Sequence, residues 1–396
     1  MRRYSKSVLV IILLFLILVQ CGCKGNGQSN VNEKADNRFN DCMACVAETD
    51  SMFLFSDESN YLYYYDKEAD QSGVLCGKPD CAHDKWTSNG DCNGCFFKGA
   101  LKNCLSVCGD RFYIVCSSGR DYALYSAKLD GSDRKLEGTV SLPENTAAQS
   151  FYYYKGVLYT VALTNVVDIT VPQCQARLIA DDIKSGEQTV VLERTYAPNQ
   201  VFPSPYISFT EDGLFFMLSN RIFCELYRMD LATRELETVL YGDDIPGVAG
   251  LWITEEGEIY LSTQNENAAI NRLEDGVIKP VFEFAEEGIT YYAPYLSDGI
   301  ACSVGVDENN DSFLWAVDFV GETIYKGPFP SAYAAQELGV DPVDILFGGI
   351  GGNRDELIIQ MLAETDDGEF GFLLQCKIKD GAMEEKILIK ERKDRE

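Results

Sequence analysis

The residues of this chain with the clearest potential for metal chemistry stand together in one short segment. Four cysteines and the single histidine of the protein fall within 20 residues: Cys76, Cys81, His83, Cys92 and Cys95. Thiolates and an imidazole are the ligands that Zn²⁺ takes in closed, four-coordinate structural sites. Gly77 and Pro79 favour the sharp turns that such a ligand loop needs. The segment is therefore a candidate structural zinc site, with five candidate ligands for four positions.

A loop closed by disulfides is the competing interpretation of the same segment. Its spacing, C-x4-C-x-H-x8-C-x2-C, is not a standard zinc-finger spacing, and an exported chain enters an oxidising space that favours disulfides. However, several of the 15 cysteines, such as Cys116, Cys224 and Cys302, lie in apolar stretches where a thiol behaves as a small buried hydrophobe. Metal ligands and disulfides both stay open at this level.

The same histidine limits the catalytic mechanisms that the chain can use. A Ser-His-Asp or Cys-His mechanism would have to use His83, whose neighbours indicate a ligand or a tight loop instead. The sequence contains no glycine-rich phosphate loop, no nucleophile elbow and no metalloprotease helix motif. Hydrolysis by paired carboxylates stays open, because the chain has 62 acidic residues.

The first residues have the pattern of an export signal. Three cations, Arg2, Arg3 and Lys6, precede an apolar run over 8–19, which is shorter than the roughly 20 residues of a membrane-spanning helix. We therefore predict a signal peptide over 1–22. Its end resembles a bacterial lipoprotein signal, in which Cys21 or Cys23 would carry the lipid. This resemblance implies a chain anchored to the outer face of the bacterial cell membrane.

Composition and charge constrain the rest of the chain. Residues 23–41, rich in polar residues and glycine, predict a flexible tether. The formal net charge is −28, and no basic block occurs beyond the leader. Because such a field repels phosphate backbones and anionic headgroups, we exclude nucleic acid as a partner and expect membrane contact through the lipid anchor only.

Residues 42–396 contain a recurring group of short strands. A turn signal precedes an aromatic-rich apolar strand, as at Gly156 and Gly213, and a second strand ends in an acidic turn, as at Asp66 and Asp230. A third strand usually closes the unit, and seven units follow one another at a period of about 40 to 58 residues. Only Ser331 to Leu338 has a helical pattern.

This period predicts an all-β fold, a β-propeller of seven blades, with six or eight as the nearest alternatives. One blade cannot bury both of its faces, whereas a ring of blades buries each face against a neighbour. The alternative is a pair of β-sandwiches, which also consist of short strands joined by turns. The segment at about 76–104 interrupts the repeat and is interpreted as a Cys/His-rich insertion.

The repeat resembles the TolB-like and YWTD-like propellers. The segment from Leu75 to Asp84, with its Cys-x4-Cys-x-His pattern, followed by Asp91-Cys92-Asn93, resembles a large group of propeller lipoproteins of Gram-positive bacteria. This resemblance implies a fold and a location, and it carries no catalytic residue. It also selects the four positions that match the segment, Cys76, Cys81, His83 and Cys92, as the expected metal ligands.

Two functions are compatible with these observations. The first, which the lack of a catalytic signature favours, is a non-catalytic binding or scaffold module whose propeller face binds an envelope protein, a peptide or a glycan. The alternative is a surface enzyme acting on glycans through Asp or Glu residues at the central channel.

Overall fold

The structure, a computed structural model, describes residues 35–40, 45–56, 61–81, 83, 92–96, 104–118, 121–164, 174–196, 204–220, 223–243, 245, 247–365 and 368–390. These residues form seven antiparallel sheets, each built from consecutive strands of the chain. The predicted seven-bladed propeller is therefore confirmed, and the alternative pair of β-sandwiches is wrong. No helix in the described part of the chain has the length and apolarity needed to cross a membrane.

The strands are numbered in chain order. Blades 1 to 3 contain β1 (Cys45–Glu48), β2 (Met52–Ser56), β3 (Tyr63–Asp66), β4 (Gln71–Val74); β5 (Leu105–Cys108), β6 (Arg111–Ser118), β7 (Asp121–Lys128), β8 (Lys135–Ser141); and β9 (Thr146–Tyr154), β10 (Val157–Thr164), β11 (Cys174–Asp182), β12 (Gln188–Tyr196). Blades 4 and 5 contain β13 (Ser204–Phe209), β14 (Gly213–Ser219), β15 (Phe223–Asp230), β16 (Leu236–Asp243); and β17 (Val248–Ile253), β18 (Ile259–Gln264), β19 (Ala268–Glu274), β20 (Val277–Phe284). Blades 6 and 7 contain β21 (Ile289–Tyr291), β22 (Tyr295–Ser297), β23 (Ile300–Asp307), β24 (Ser312–Asp318), β25 (Thr323–Pro328); and β26 (Ile345–Gly352), β27 (Glu356–Thr365), β28 (Gly368–Lys379), β29 (Ala382–Lys390). Helix α1 (Ser331–Leu338), where the sequence predicted it, and a 3-10 turn (Pro342–Asp344) join the last two blades.

Each blade has one more strand than the sequence pattern indicated. The first strands of successive blades, such as β1 and β5, β5 and β9, or β13 and β17, contact one another and so form the inner wall of the ring. These innermost strands lack the glycine and aspartate turn signals that mark the others, which explains why the sequence pattern gave three strands per unit. In blade 6 this position is shared by β21 and β22, which both pair with β23.

An aspartate at the end of the third strand fixes the turn to the outermost strand in several blades. The carboxylates of Asp66, Asp182 and Asp230 each accept hydrogen bonds from the backbone N–H groups two and three positions further on. The hydrogen bonds from these backbone groups lower the pKa of Asp182 and of Asp230. The acidic turns predicted from the sequence therefore have a local structural role.

Six blades carry a β-bulge between the third and the outermost strand. The register shifts by one residue and leaves an extra residue in the outer strand, namely Glu137, Val191, Val239, Val281, Ile324 and Leu388. A bulge twists an edge strand and so hinders pairing with another chain. In blade 1 the register of β3 with β4 is uninterrupted, and β4 has only four residues. The Cys/His-rich segment continues directly from this short outer strand.

The blades form a closed series of apolar interfaces. Buried clusters join blades 1, 2 and 3, then 3 and 4, 4 and 5, 5 and 6, and 6 and 7. A further cluster joins blade 7 to blade 1, where Leu373 and Ile389 lie with Phe53 and Phe55. Because every blade is a contiguous piece of chain, side-chain packing rather than a shared strand closes the ring.

The folded unit begins earlier than the sequence indicated. The compact unit extends from Lys34 to Glu396, and residues 35–40, predicted as the end of the flexible tether, contact the innermost strands. For example, the Asn40 side chain donates to the Ile207 carbonyl oxygen at 2.7 Å. The predicted domain boundary at residue 42 therefore falls within the folded unit.

Candidate metal centre

The structure brings the four expected ligands together beside blade 1. One ligand atom each from Cys76, Cys81, His83 and Cys92 lies within 4.8 Å of all the others, so this group could hold a metal ion. Around a tetrahedral zinc with bonds of about 2.3 Å, sulfur atoms stand about 3.8 Å apart, so a small contraction would complete the site. Cys95, the fifth candidate from the sequence, is buried but is not part of the group.

Backbone N–H groups point at the thiols of this group. Those of Lys78 and Asn93 donate to the sulfur of Cys76, and that of Gly94 donates to the sulfur of Cys92. Such bonds orient the sulfur atoms and stabilise negative charge on them, as outer-shell groups do around metal ligands. The loop therefore stabilises thiolates at these positions.

His83 has two features that set it apart from a surface histidine. Its backbone φ is 52°, in the left-handed region that residues other than glycine adopt infrequently. Its Nε2 is buried and has no hydrogen-bond partner among the described residues, while the edge of its ring lies against Tyr61 with the centroids 6.3 Å apart. A buried nitrogen without a partner costs free energy, which coordination to a cation would recover.

The thiols of the group are held in different charge states. Burial acts to raise the pKa of Cys76, but hydrogen bonds from His83 and from the backbone outweigh it and lower that pKa to about 6. Burial raises the pKa of Cys92, and the neighbouring Cys76 raises it further. Three adjacent thiols cannot all become thiolates without added positive charge, which is what a divalent cation supplies.

Blade 2 fixes the loop that carries Cys92. The guanidinium of Arg134 donates to the carbonyl oxygens of Cys92, at 3.1 Å, and of Cys95, at 2.8 Å. It also lies over the rings of Phe96 and Tyr125, 4.3 and 4.7 Å from their centroids. Sequence reasoning missed Arg134, because it lies about 40 residues from the loop in the chain and forms no motif with it.

Two glycines allow backbone segments to approach closely at the site. A Cβ on Gly94 would lie 2.4 Å from the carbonyl oxygen of Leu75, and one on Gly77 would lie 3.1 Å from that of Asp130. The N–H of Gly77 also donates to the carbonyl of Gly131 in blade 2. The ligand loop is therefore packed against the end of β4 on one side and against a blade 2 turn on the other.

A disulfide joins the same two blades from the inside. It links Cys45 in β1 to Cys104, the residue before β5. The sequence gave no sign of this pair, because 59 positions separate the two cysteines. Neither belongs to the group of four, so the structure places one disulfide and one candidate metal site side by side in the first two blades. The candidate lipidation sites Cys21 and Cys23 lie outside the described residues.

The inner wall of the ring has few acidic groups. Among the described innermost strands, β1, β5, β9, β13, β17, β21, β22 and β26, Glu48 is the only acidic residue. Its carboxylate forms ion pairs with Arg38, at 2.7 Å, and with Lys67. These strands therefore supply no pair of carboxylates of the kind that glycoside hydrolysis needs.

Comparison with known proteins gives matches by fold alone. No protein family and no curated protein matches the sequence. The chain is similar to a prolyl endopeptidase (TM-score 0.53, 12% identity, 89% of this chain and 51% of that chain). It is also similar to a puromycin-hydrolysing peptidase of Mycobacterium tuberculosis (0.52, 10%, 88% and 54%) and to TolB from Acinetobacter baumannii (0.40, 14%, 87% and 78%). The chain thus spans about half the length of the two peptidases.

These matches correct the predicted function. The sequence favoured a non-catalytic binding or scaffold module, whereas several of the matching structures are peptidases, which points to a propeller associated with an enzyme. At identities of 10 to 12%, the two peptidase matches above establish the fold and transfer no catalytic residue to this chain.

Replacement of Gly94 tests the packing of the ligand loop. We expect Gly94→Ala to lower the free energy of unfolding by about 1 to 3 kcal/mol, because its Cβ would overlap the Leu75 carbonyl. Gly73→Ala is the matched control, since its Cβ would meet nothing closer than 3.4 Å. Equal stability of the two variants in urea unfolding would contradict the described position of the loop.

Proposed function

We propose that this chain is the propeller component of an extracytoplasmic enzyme, and that a structural zinc bound by Cys76, Cys81, His83 and Cys92 stabilises its first two blades. The observation that carries the zinc proposal is the convergence of three thiols and the only imidazole of the chain within 4.8 Å. Three cysteines and one histidine are an established structural zinc ligand set.

The ligand set favours a structural over a catalytic zinc. Four protein ligands leave no coordination position for water or substrate, whereas catalytic zinc sites have three protein ligands and one open position. The loop is attached to blade 2 through Arg134 and the turn at Gly131, and to blade 1 through Leu75. A zinc ion at this point would hold together segments that have few apolar contacts of their own, and its binding free energy would add to folding.

The association with an enzyme rests on the part of the peptidases that the chain matches and on its histidine count. The propeller spans about half of each peptidase, and the only histidine of this chain lies in the cysteine group. A histidine-dependent hydrolytic step would therefore need its base from another polypeptide. We propose that this partner is an envelope enzyme acting on a peptide or a glycan, beside which the lipid anchor holds the propeller.

Metal analysis of the purified mature chain tests the zinc proposal. We expect one zinc per chain after purification without chelator, and a lower melting temperature after the metal is removed. His83→Ala and Cys81→Ser should each abolish stoichiometric zinc, because a four-coordinate site loses its geometry with one ligand. Cys95→Ala is the matched control and should retain one zinc. Metal-free wild-type protein that melts at the same temperature with and without added zinc would refute the proposal.

Activity measurements test the association with an enzyme. Membrane fractions of the host are compared with those of a strain lacking this chain, using chromogenic prolyl and aminoacyl peptides and oligogalacturonides. We expect hydrolysis or cleavage of at least one substrate to fall without the chain and to return when it is restored. The purified chain alone should be inactive, because its single imidazole lies in the metal group. Unchanged activity of the deletion strain on all substrates would contradict the association.

Fractionation of cells tests the anchor. We expect the wild-type chain in the membrane fraction, released by detergent and not by salt, because the acyl chains of a lipid anchor bind the bilayer by the hydrophobic effect. Of the variants Cys21→Ser and Cys23→Ser, the one that removes the lipidated residue should prevent anchoring, while the other should behave as wild type. Salt-soluble wild-type protein would contradict the proposal.

A further inference from the structure

A six-residue segment at 35–40 forms its first set of contacts with blade 4. The side-chain amide of Asn37 pairs with the backbone of Phe209 in both directions, since its nitrogen donates to the Phe209 carbonyl at 2.7 Å and its oxygen accepts from the Phe209 N–H at 3.0 Å. The Asn40 side chain donates to the Ile207 carbonyl at 2.7 Å. Both residues of β13 lie on the innermost strand of the blade.

The next residues of the segment contact blades 6, 7 and 1. The Ser297 hydroxyl at the end of β22 donates to the Arg38 carbonyl at 3.4 Å, and the Arg38 guanidinium forms an ion pair with Glu48 of β1. Phe39 is 3% exposed. A Cβ on Gly351 of β26 would lie 2.5 Å from the Phe39 ring and 2.4 Å from the Arg38 carbonyl oxygen, so the segment needs glycine at this point.

The positions of these blades show where the segment lies. In a ring of seven, blade 4 is three steps from blade 7 and three from blade 1, so it stands on the opposite side of the central channel. A segment that contacts both sides within four residues must cross the channel. The contacts with Phe209, Ser297, Gly351 and Glu48 all fall at the carboxyl-terminal ends of innermost strands, so the crossing is at one mouth of the channel.

The inner edge of β13 explains why asparagines are found here. An innermost strand pairs on one side only, and its other edge presents backbone N–H and C=O groups that need partners. The N–H and C=O of Phe209 and the C=O of Ile207 point to this free edge, where the two asparagine amides bond them. The segment therefore binds the edge of a strand, as peptides do when they bind to an open sheet edge.

We infer that residues 36–40 form a plug across one mouth of the central channel, and that this mouth is a peptide-binding site which the chain occupies with its own residues. The site takes a short peptide with two asparagines that bond the edge of β13, an arginine between carboxylates, and an aromatic ring against Gly351. Asp36 completes the arginine environment, because it pairs with Arg38 at 2.8 Å on the side away from the blade. This inference is independent of the zinc site and of the enzyme partner.

Two kinds of variant of the full mature chain separate the plug from its receptor. Asn37→Ala/Phe39→Ala removes the plug contacts and leaves the channel mouth intact. Gly351→Ala leaves the plug sequence intact and fills the space that Arg38 and Phe39 occupy. Gly138→Ala in an outer strand is the control, because its Cβ would meet nothing closer than 3.6 Å. The probe is a fluorescent synthetic peptide with the sequence of residues 35–40.

Hydrogen exchange and peptide binding then give the two readouts. In both plug and receptor variants we expect the Phe209 amide to exchange about tenfold faster than in wild type, because it loses its hydrogen bond to Asn37. Only the Asn37→Ala/Phe39→Ala chain should bind the peptide, since the wild-type site is occupied and the Gly351→Ala site is blocked. Unchanged exchange at Phe209 in both variants would overturn the plug. Equal peptide binding by all chains, or by none, would overturn the peptide site.

Discussion

The mutual burial of blade faces is the interaction on which this structure depends. A four-stranded sheet has two faces to remove from water, and a neighbouring blade covers each of them through aliphatic and aromatic side chains. The last such interface, between blades 7 and 1, closes the ring without an exchanged strand. Closure therefore rests on packing of residues such as Phe55 and Leu373, which are fully buried.

The devices that could reinforce this ring lie at its beginning. The disulfide between Cys45 and Cys104 joins blades 1 and 2 at their inner strands, and the group around Cys76 and His83 joins them near the outer strand. Blade 1 has the shortest outer strand and an uninterrupted register there, so its own sheet offers the least edge protection. A cross-link in this blade restrains the part of the ring where strand pairing is weakest.

The central channel has a chemistry of its own. The inner strands present backbone edges and glycines rather than carboxylates, and residues 36–40 bind to those edges from opposite sides of the ring. An enzyme-associated propeller with such a channel would control access by occupancy of the mouth rather than by charge. The single histidine supports this division of labour, because its ring lies with the cysteine group and not at the channel wall.

The sequence by itself determined the blade count, the acidic turns, helix α1 and the four members of the cysteine and histidine group. These features are local, since a strand with its turn or a short ligand loop carries its signal within about ten residues. It could not supply the innermost strands, because strands without turn signals are recognised only when their neighbours pair with them. The tertiary structure alone decided that Cys45 meets Cys104, that Arg134 holds the Cys92 loop, and that residues 36–40 cross the channel. Such contacts join residues between about 40 and 170 positions apart, and the cost of closing those loops is met by the packing of the whole ring.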